Sequence, residues 1–357
     1  MLNTEVTKQL NIKYPIIQAP MAGGTTTSQL VAAVSNSGGL GMIGAGYLTP
    51  AQLREQMREV KQLTVNNFGV NLFVPTEFNV PQDKIDFANE KLKSIKHQLN
   101  IVEDSYHLPD AGKLNKTFYE HIDVLIEEKV PVCSFTFGVP SMEILSRLKK
   151  QNILLIGTAT TVKEALEIQK VGMDMIVVQG SEAGGHRGNF IHEQHESMIG
   201  LMSLIPQVVD CVNIPVIAAG GIMDGRGLMA AICLGAGAVQ MGTAFLTCKE
   251  SGANKLHKEA ILQSDEDQIT VTRAFSGKWA RGINNKFISA MQESETAFPE
   301  FPVQNTLTQS IRKASAAQNN PDYMSLWSGQ SPRLAKSLSA EELINDIMSQ
   351  AAKIING

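Results

Sequence analysis

Short apolar runs rich in Val and Ile recur through the first two thirds of the chain, separated by longer stretches of mixed polarity with Gly and Pro at the junctions. Eight runs can be marked: Pro15 to Ala19, Gly39 to Ile43, Phe68 to Phe73, Pro131 to Phe137, Ile153 to Thr158, Met175 to Gln179, Pro215 to Ala219 and Ala238 to Phe245. Near-continuous apolar strands are buried on both faces, as in a parallel sheet covered by helices. The stretches Ser28 to Ser37, Pro50 to Leu63, Ser141 to Lys150, Thr161 to Val171, Met198 to Cys211 and Gly225 to Leu234 carry the helical period. Eight βα units predict an α/β fold closed as a (β/α)8 TIM barrel, with an open doubly wound sheet as the weaker reading.

Two stretches break the alternation. Val74 to Val130 is too long for one crossover helix, and Thr247 to Gly357 needs only one helix to finish a barrel. Both leave from strand C-termini, the face on which barrels build their sites. The expected organisation is a barrel from 1–74 and 130–250, completed by part of 321–357. A smaller, mainly helical cap from 75–129 and 251–320 would contribute to the substrate site.

Composition narrows the partners. The 357 residues are 43% hydrophobic and carry 31 Lys+Arg against 35 Asp+Glu, a net charge of -4. No basic stripe is present, so nucleic acid is not an expected partner. No apolar run has membrane-spanning length, and the N-terminal segment lacks the apolar core of a secretory signal, so a cytoplasmic protein without membrane attachment is expected. Cys133, Cys211, Cys233 and Cys248 sit in apolar segments and read as reduced, buried thiols.

The strand ends carry little reactive chemistry of their own. No lysine stands there for Schiff-base chemistry, and Glu182 is the only acid just past a strand end, so paired glycosidase carboxylates are missing. Gln18, Met21, Asn71, Gln179, His186 and many glycines remain, a set suited to holding a cofactor that brings its own reactive atoms. Gly220 and Gly221 after the seventh run, with Gly242 and Thr243 in the eighth, occupy the two loops between which barrels bind phosphate. His186 follows Gly184 and Gly185, where an imidazole of ordinary pKa near ~6.5 can act as base, donor or anion partner. Arg187 either attracts an anion or stands solvated. His192 and His195 are one residue short of a metalloprotease pair and have no third ligand, so no metal site is expected. The turn at Gly44 to Gly46 lacks a dinucleotide fingerprint's third glycine.

Together the segments QAPMAGG (Gln18 to Gly24), VSNSGGLGMIGAG (Val34 to Gly46), FGVNLFVP (Phe68 to Pro75), CSFTFGVP (Cys133 to Pro140), SEAGGHRG (Ser181 to Gly188), PVIAAGGI (Pro215 to Ile222) and AVQMGTAF (Ala238 to Phe245) resemble the nitronate monooxygenase family of flavin mononucleotide barrels. The resemblance implies that Met21, Asn71, Gln179 and Gly184 contact the flavin and its ribityl chain. Gly221, Gln240, Met241, Gly242 and Thr243 would hold the phosphate of FMN, and His186 would face the substrate. It also implies oxidation of alkyl nitronates, such as propionate 3-nitronate, by O2 to a carbonyl compound and nitrite, in a detoxifying role. For a neutral nitroalkane His186 would also remove the α-proton. SGKWARGINN (Ser276 to Asn285) and WSGQ (Trp327 to Gln330) match as well, but the roles of Arg281, Tyr323 and Trp327 stay open, as does a homodimer. The nearest rival is a flavin-dependent enoyl-acyl-carrier-protein reductase using NAD(P)H, with the same barrel and a similar EAGGH loop; a flavin-free phosphosugar isomerase or lyase is a more distant one.

Overall fold

Each of the eight apolar runs forms a parallel strand, and together they close into the (β/α)8 TIM barrel that the alternation predicts. The computed structural model describes residues 2–78, 81–102, 106–191 and 197–357. In chain order the strands are β1 (Ile16–Gln18), β2 (Gly41–Gly44), β3 (Phe68–Phe73), β4 (Val132–Thr136), β5 (Leu154–Ala159), β6 (Met175–Gln179), β7 (Gly185–His186), β8 (Val216–Ala219), β9 (Ala238–Met241), β10 (Ile269–Thr272) and β11 (Ala280–Ile283). The barrel order is β1-β9-β8-β6-β5-β4-β3-β2. A parallel bridge between Ile17 and Leu40 joins its two ends, with Gln18 N–H donating to Leu40 O at 2.9 Å and Leu40 N–H to Ile16 O at 2.9 Å. The eighth run is shorter than its apolar character predicts. β9 stops at Met241, Gly242 leaves the extended region at φ −102°, ψ −75°, and Thr243–Leu246 is a helical turn.

The barrel has two apolar shells. Met42, Val132, Ile156, Met175, Val177 and Ile217 fill the interior, joined by Val6 and Leu10 of the helix Glu5–Leu10. That helix plugs the end opposite the site and is tied there by Thr4 Oγ1, which donates to Gly237 O at 2.6 Å. The second shell lies between strands and outer helices. Thr27, Thr49, Ser141, Thr161 and Asp224 each accept a backbone N–H at the start of the helix they precede, so the barrel helices begin where their side-chain caps stand.

The two excursions separate by packing rather than by sequence position. Helix Gln82–Gln98 buries Ile85, Ala88, Leu92 and Ile95 against Phe275, Phe287, Phe298, Leu307 and Ile311, a second core distinct from the barrel. Helix Ala111–Glu127 lies in the stretch grouped with the cap by sequence, yet Phe118, Ile122, Val124 and Leu125 join the barrel's outer shell. It is the helix that completes the third βα unit. At the C-terminus Ala340–Asn356 buries Leu343, Ile344, Ile347 and Ala351 in the same shell.

The cap region is also not purely helical. β10 and β11 form an antiparallel hairpin, and β11 pairs with β7, aligning Ala280 with His186 and Arg281 with Gly185. The alternating QITVT stretch carried this signal but sits among helices. All four cysteines are free; Cys133 and Cys248 are buried as expected, whereas Cys211 and Cys233 are exposed near helix C-termini. Among the described residues no helix is long and apolar enough to cross a membrane.

Close contact between β2 and helix Ser28–Asn36 depends on Gly41. A Cβ there would lie 2.1 Å from Val31 O, a backbone atom that cannot swing aside. Gly41→Ala is expected to cost about 1–3 kcal/mol, the usual range for overpacking. In urea titrations this appears as a lower midpoint with an unchanged slope; an unchanged midpoint would show that the strand and helix can part freely.

Candidate active site

The C-terminal strand ends open into a cavity of about 1270 Å³ between the barrel and the second core. This exceeds the usual 300–1,000 Å³ of a small-molecule pocket, leaving room for a large ligand and a second one beside it. Of the residues singled out by sequence, Met21, Asn71, Gln179, Gly184, His186, Gly220, Gly221, Gln240, Gly242 and Thr243 all line it. Met241 does not. Strand alternation turns Gln240 inward and Met241 outward, where its side chain is 1% exposed among the apolar groups of the outer shell. Any contact of Met241 with a ligand in the cavity would come from its backbone and not from its side chain.

One end of the cavity is walled by backbone with almost no side chain. Gly220 and Gly221 have φ of +131° and +66°, left-handed values that a Cβ disfavours. A Cβ on Gly242 would have Ala19 Cβ 3.7 Å away as its nearest neighbour, so this glycine opens onto free space. Gly329 closes the same end: its N–H donates to Thr243 Oγ1 at 2.9 Å, and Gln330 N–H donates to Glu182 O at 3.0 Å. This gives the WSGQ segment a place that sequence could not assign. Gly184 is confined by it, since a Cβ there would lie 2.5 Å from Gly329 N.

The polar side chains of the strand ends are mostly committed. Gln179 donates to His186 O at 3.0 Å and accepts from Gly188 N–H at 2.8 Å, so its amide shapes the glycine loop. Asn71 donates to Ser134 Oγ at 2.8 Å and Thr136 Oγ1 at 3.0 Å, bonds that use both its amide hydrogens and leave Oδ1 to accept. Gln18 is fully buried and pairs with the Met42 backbone.

Arg187 is neither an anion trap nor solvated. It is 1% exposed and donates to Gly180 O, Gln179 O and Ser197 O, stitching the loop after β6 to the segment before the next helix. Burial lowers its pKa to about 10, which still leaves it cationic at neutral pH. Glu182 accepts from Leu201 N–H at the start of helix Leu201–Val209, and buried Glu164 accepts from Thr160, Phe190 and Ile191. These charges are structural. Arg281 likewise donates through Nε to Ser181 O, and Tyr323 OH donates to Gln98 Oε1, tying the tail to the insert.

His186 stands in an aromatic enclosure. The ring centres of Trp327, Phe301 and Phe137 lie 5.5, 6.0 and 6.1 Å from the imidazole. Phe137 is held at φ +72°, an outlier for a bulky residue that costs about 1–3 kcal/mol and persists where surroundings impose it. Lys278 Nζ lies 4.8 Å from the centre of the Phe137 ring and donates to Asn189 O at 3.2 Å. Arg312, from helix Gln309–Ala317, also lines the cavity and is anchored on Asn305. Burial, and then the Lys278 and Arg312 charges, push His186 down to about 3, so it is neutral at physiological pH. Burial lowers Lys278 to about 8, with Glu164 and Glu300 opposing and Arg187 reinforcing that shift. Lys278, Arg312, Phe301 and Gly329 were missed by sequence because they come from beyond the eighth strand. Lys278 and Gly329 fell inside recognised segments, but without an assigned role.

Among the described residues no group of His, Cys, Asp and Glu could hold a metal ion. His192 and His195 lie outside the described residues.

Comparisons with known proteins bear on the family and the fold. Residues 3–350 match the model of a family described as nitronate monooxygenase. A probable nitronate monooxygenase of Staphylococcus aureus (strain Newman) is 52% identical over 351 residues, covering 98% of both chains. One from Staphylococcus haemolyticus (strain JCSC1435) is 51% identical over 355 residues, covering 99% of this chain and 98% of its own. Among solved structures, nitroalkane oxidase from Streptomyces ansochromogenes superposes with a TM-score of 0.90 at 36% identity, covering 98% of this chain and 99% of its own. FabK from Thermotoga maritima follows at 0.78 and 31%, covering 100% and 98%. With a match that spans nearly the whole chain and relatives at half identity, the chain is an oxidoreductase that belongs to the nitronate monooxygenase family.

Proposed function

We propose that this chain binds FMN in the cavity and uses it to oxidise alkyl nitronates with O2, giving a carbonyl compound and nitrite. The observation that carries the reading is the side-chain-free end of the cavity at Gly220, Gly221, Gly242 and Thr243, in the same space as His186. Open space at Gly242 and left-handed glycines at 220 and 221 let backbone N–H groups approach a phosphate. Asn71 Oδ1, Met21 and Gly184 would border the rest of the cofactor. FMN, when bound, supplies the electron acceptor and the place where O2 is reduced. The protein's part is binding and electrostatics.

Lys278 is the group suited to the anionic substrate. Its ammonium lies in a cavity whose aromatic walls lower the local dielectric, where a charge-assisted hydrogen bond contributes more than in water. Neutral His186 does not compete for that charge. Against a neutral nitroalkane the same imidazole can accept a proton.

The nearest alternative is an enoyl-acyl-carrier-protein reductase using NAD(P)H, and the likeness to FabK at 31% identity keeps it in view. Nitrite release from ethylnitronate or propionate 3-nitronate in air, together with FMN released on heating, is expected for the proposed activity. Rapid bleaching of the flavin by NADH without oxygen, and no nitrite, would transfer the chain to the reductase reading.

Two further outcomes are expected. Gly242→Asp fits sterically but places a carboxylate beside the proposed phosphate. At about 4 Å and an effective dielectric near 20 that repulsion is about 4 kcal/mol, so the variant should purify folded and without flavin; full flavin content would refute the phosphate seat. Binding of a nitronate should weaken as pH rises past about 8, because Lys278, lowered to that value by burial, loses its charge there. Lys278→Met should raise KM about tenfold to a hundredfold and remove that limb, as expected for a lost charged hydrogen bond. A KM profile in Lys278→Met that keeps the wild-type alkaline limb would show that another group titrates.

A further inference from the structure

A hydrogen-bond count at His186 decides which of its nitrogens is free. Ser276 is buried at 1% exposure, and its Oγ makes three contacts: His186 Nε2 at 2.8 Å, Lys278 O at 2.9 Å and Lys278 N at 3.3 Å. A carbonyl oxygen can only accept, so the single hydroxyl hydrogen goes to Lys278 O. A backbone N–H can only donate, so Lys278 N–H uses one oxygen lone pair. Toward the imidazole Ser276 Oγ has only an acceptor left, and Nε2 must carry the hydrogen.

The backbone enforces the same geometry. His186 is held in register with Ala280 by β7 and β11, and Ser276 lies in the turn between β10 and β11, where Gly277 takes φ +80°. A Cβ on Gly277 would come within 2.3 Å of Pro299 O, so this turn is wedged against the cap, and Ser276 Oγ is held within it by its two bonds to the Lys278 backbone. Nδ1 has no bond to any described residue, and His186 lines the cavity.

We infer that Ser276 is a positioning residue that sets His186 in the Nε2–H tautomer, leaving Nδ1 as the bare nitrogen that takes the α-proton of a neutral nitroalkane. This rests on the proposed oxidation of nitro compounds in the same cavity. In the step, the α C–H proton moves to Nδ1, the C–H electron pair becomes the C=N bond of the nitronate, and the N=O π pair moves onto oxygen, which carries the negative charge. The product is an imidazolium whose new charge is set against the nitronate anion, with the Nε2–H still bonded to Ser276. No oxidant is needed for this proton transfer. A nitronate supplied already ionised bypasses it, so the serine matters for one substrate form and not for the other.

Holoenzyme labelled with 15N-histidine provides a direct reading, with His186 assigned by the signal lost in His186→Asn. The expected spectrum at neutral pH shows a proton on Nε2 and none on Nδ1. Kinetics supply the second arm. Ser276→Ala frees the ring to choose either tautomer and should lower kcat on nitroethane by about tenfold or more, within the usual contribution of a general base. Its kcat on ethylnitronate should stay within about twofold, because that substrate asks no proton transfer of the base. A proton on Nδ1 in the wild-type protein, or equal losses on both substrates in Ser276→Ala, overturns the inference while the oxidation itself stands. Absence of wild-type turnover on ethylnitronate overturns the proposed function and the base role with it.

Discussion

Closure of the eight-stranded sheet through the bridge between Ile17 and Leu40 is the constraint on which the rest of the molecule depends. A barrel has no edge to protect, and its parallel strands all release their C-termini on one rim. Residues far apart in sequence, such as Met21, Asn71, Gln179 and Gly242, are thereby brought around one cavity. The interior is packed with aliphatic side chains and plugged at the far end by helix Glu5–Leu10, and the cavity opens at the other rim, beneath the second core.

The second core makes a different contribution. Phe275, Phe287 and Phe298 pack with helix Gln82–Gln98, and this packing fixes the β10–β11 hairpin that lies beside β7. His186 is thus held by a backbone ladder instead of a mobile loop. Enclosure by Phe137, Phe301 and Trp327, together with two nearby cations, disfavours its charged form. The cationic group beside the cavity is thus Lys278, while the imidazole next to it is held neutral.

Buried charges outside the cavity act on backbone. Arg187 satisfies three carbonyls, and Glu164 and Glu182 satisfy N–H groups at loop ends and a helix start. Long connections between strands and helices leave such groups without regular partners, and a buried unpaired one costs about 1–3 kcal/mol. The charged loop residues of the glycine-rich EAGGHRG segment are therefore part of the support that keeps Gly184 to His186 in place. The reading of Arg187 as an anion partner fails because its side chain is buried with both Nη atoms on backbone carbonyls.

The barrel was legible because its signals are local: apolar runs of strand length, amphipathic stretches with Thr, Ser or Asp before them, and glycines at turns. Most of the residues named on the strand ends line the cavity for the same reason, since a barrel assigns the C-terminal end of each strand to one face. The side chain of Met241 points to the outer shell while its neighbour Gln240 lines the cavity, because a strand turns successive residues to opposite sides. The split of the insert between barrel and cap, the hairpin that pairs with His186, and the enclosing Lys278, Phe301, Arg312 and Trp327 were decided only by tertiary structure. These depend on contacts between segments some ninety or more residues apart, as in the bond from Ser276 to His186, where |i−j| is 90. No local period records such a contact; it exists only once two hydrophobic cores have packed side by side.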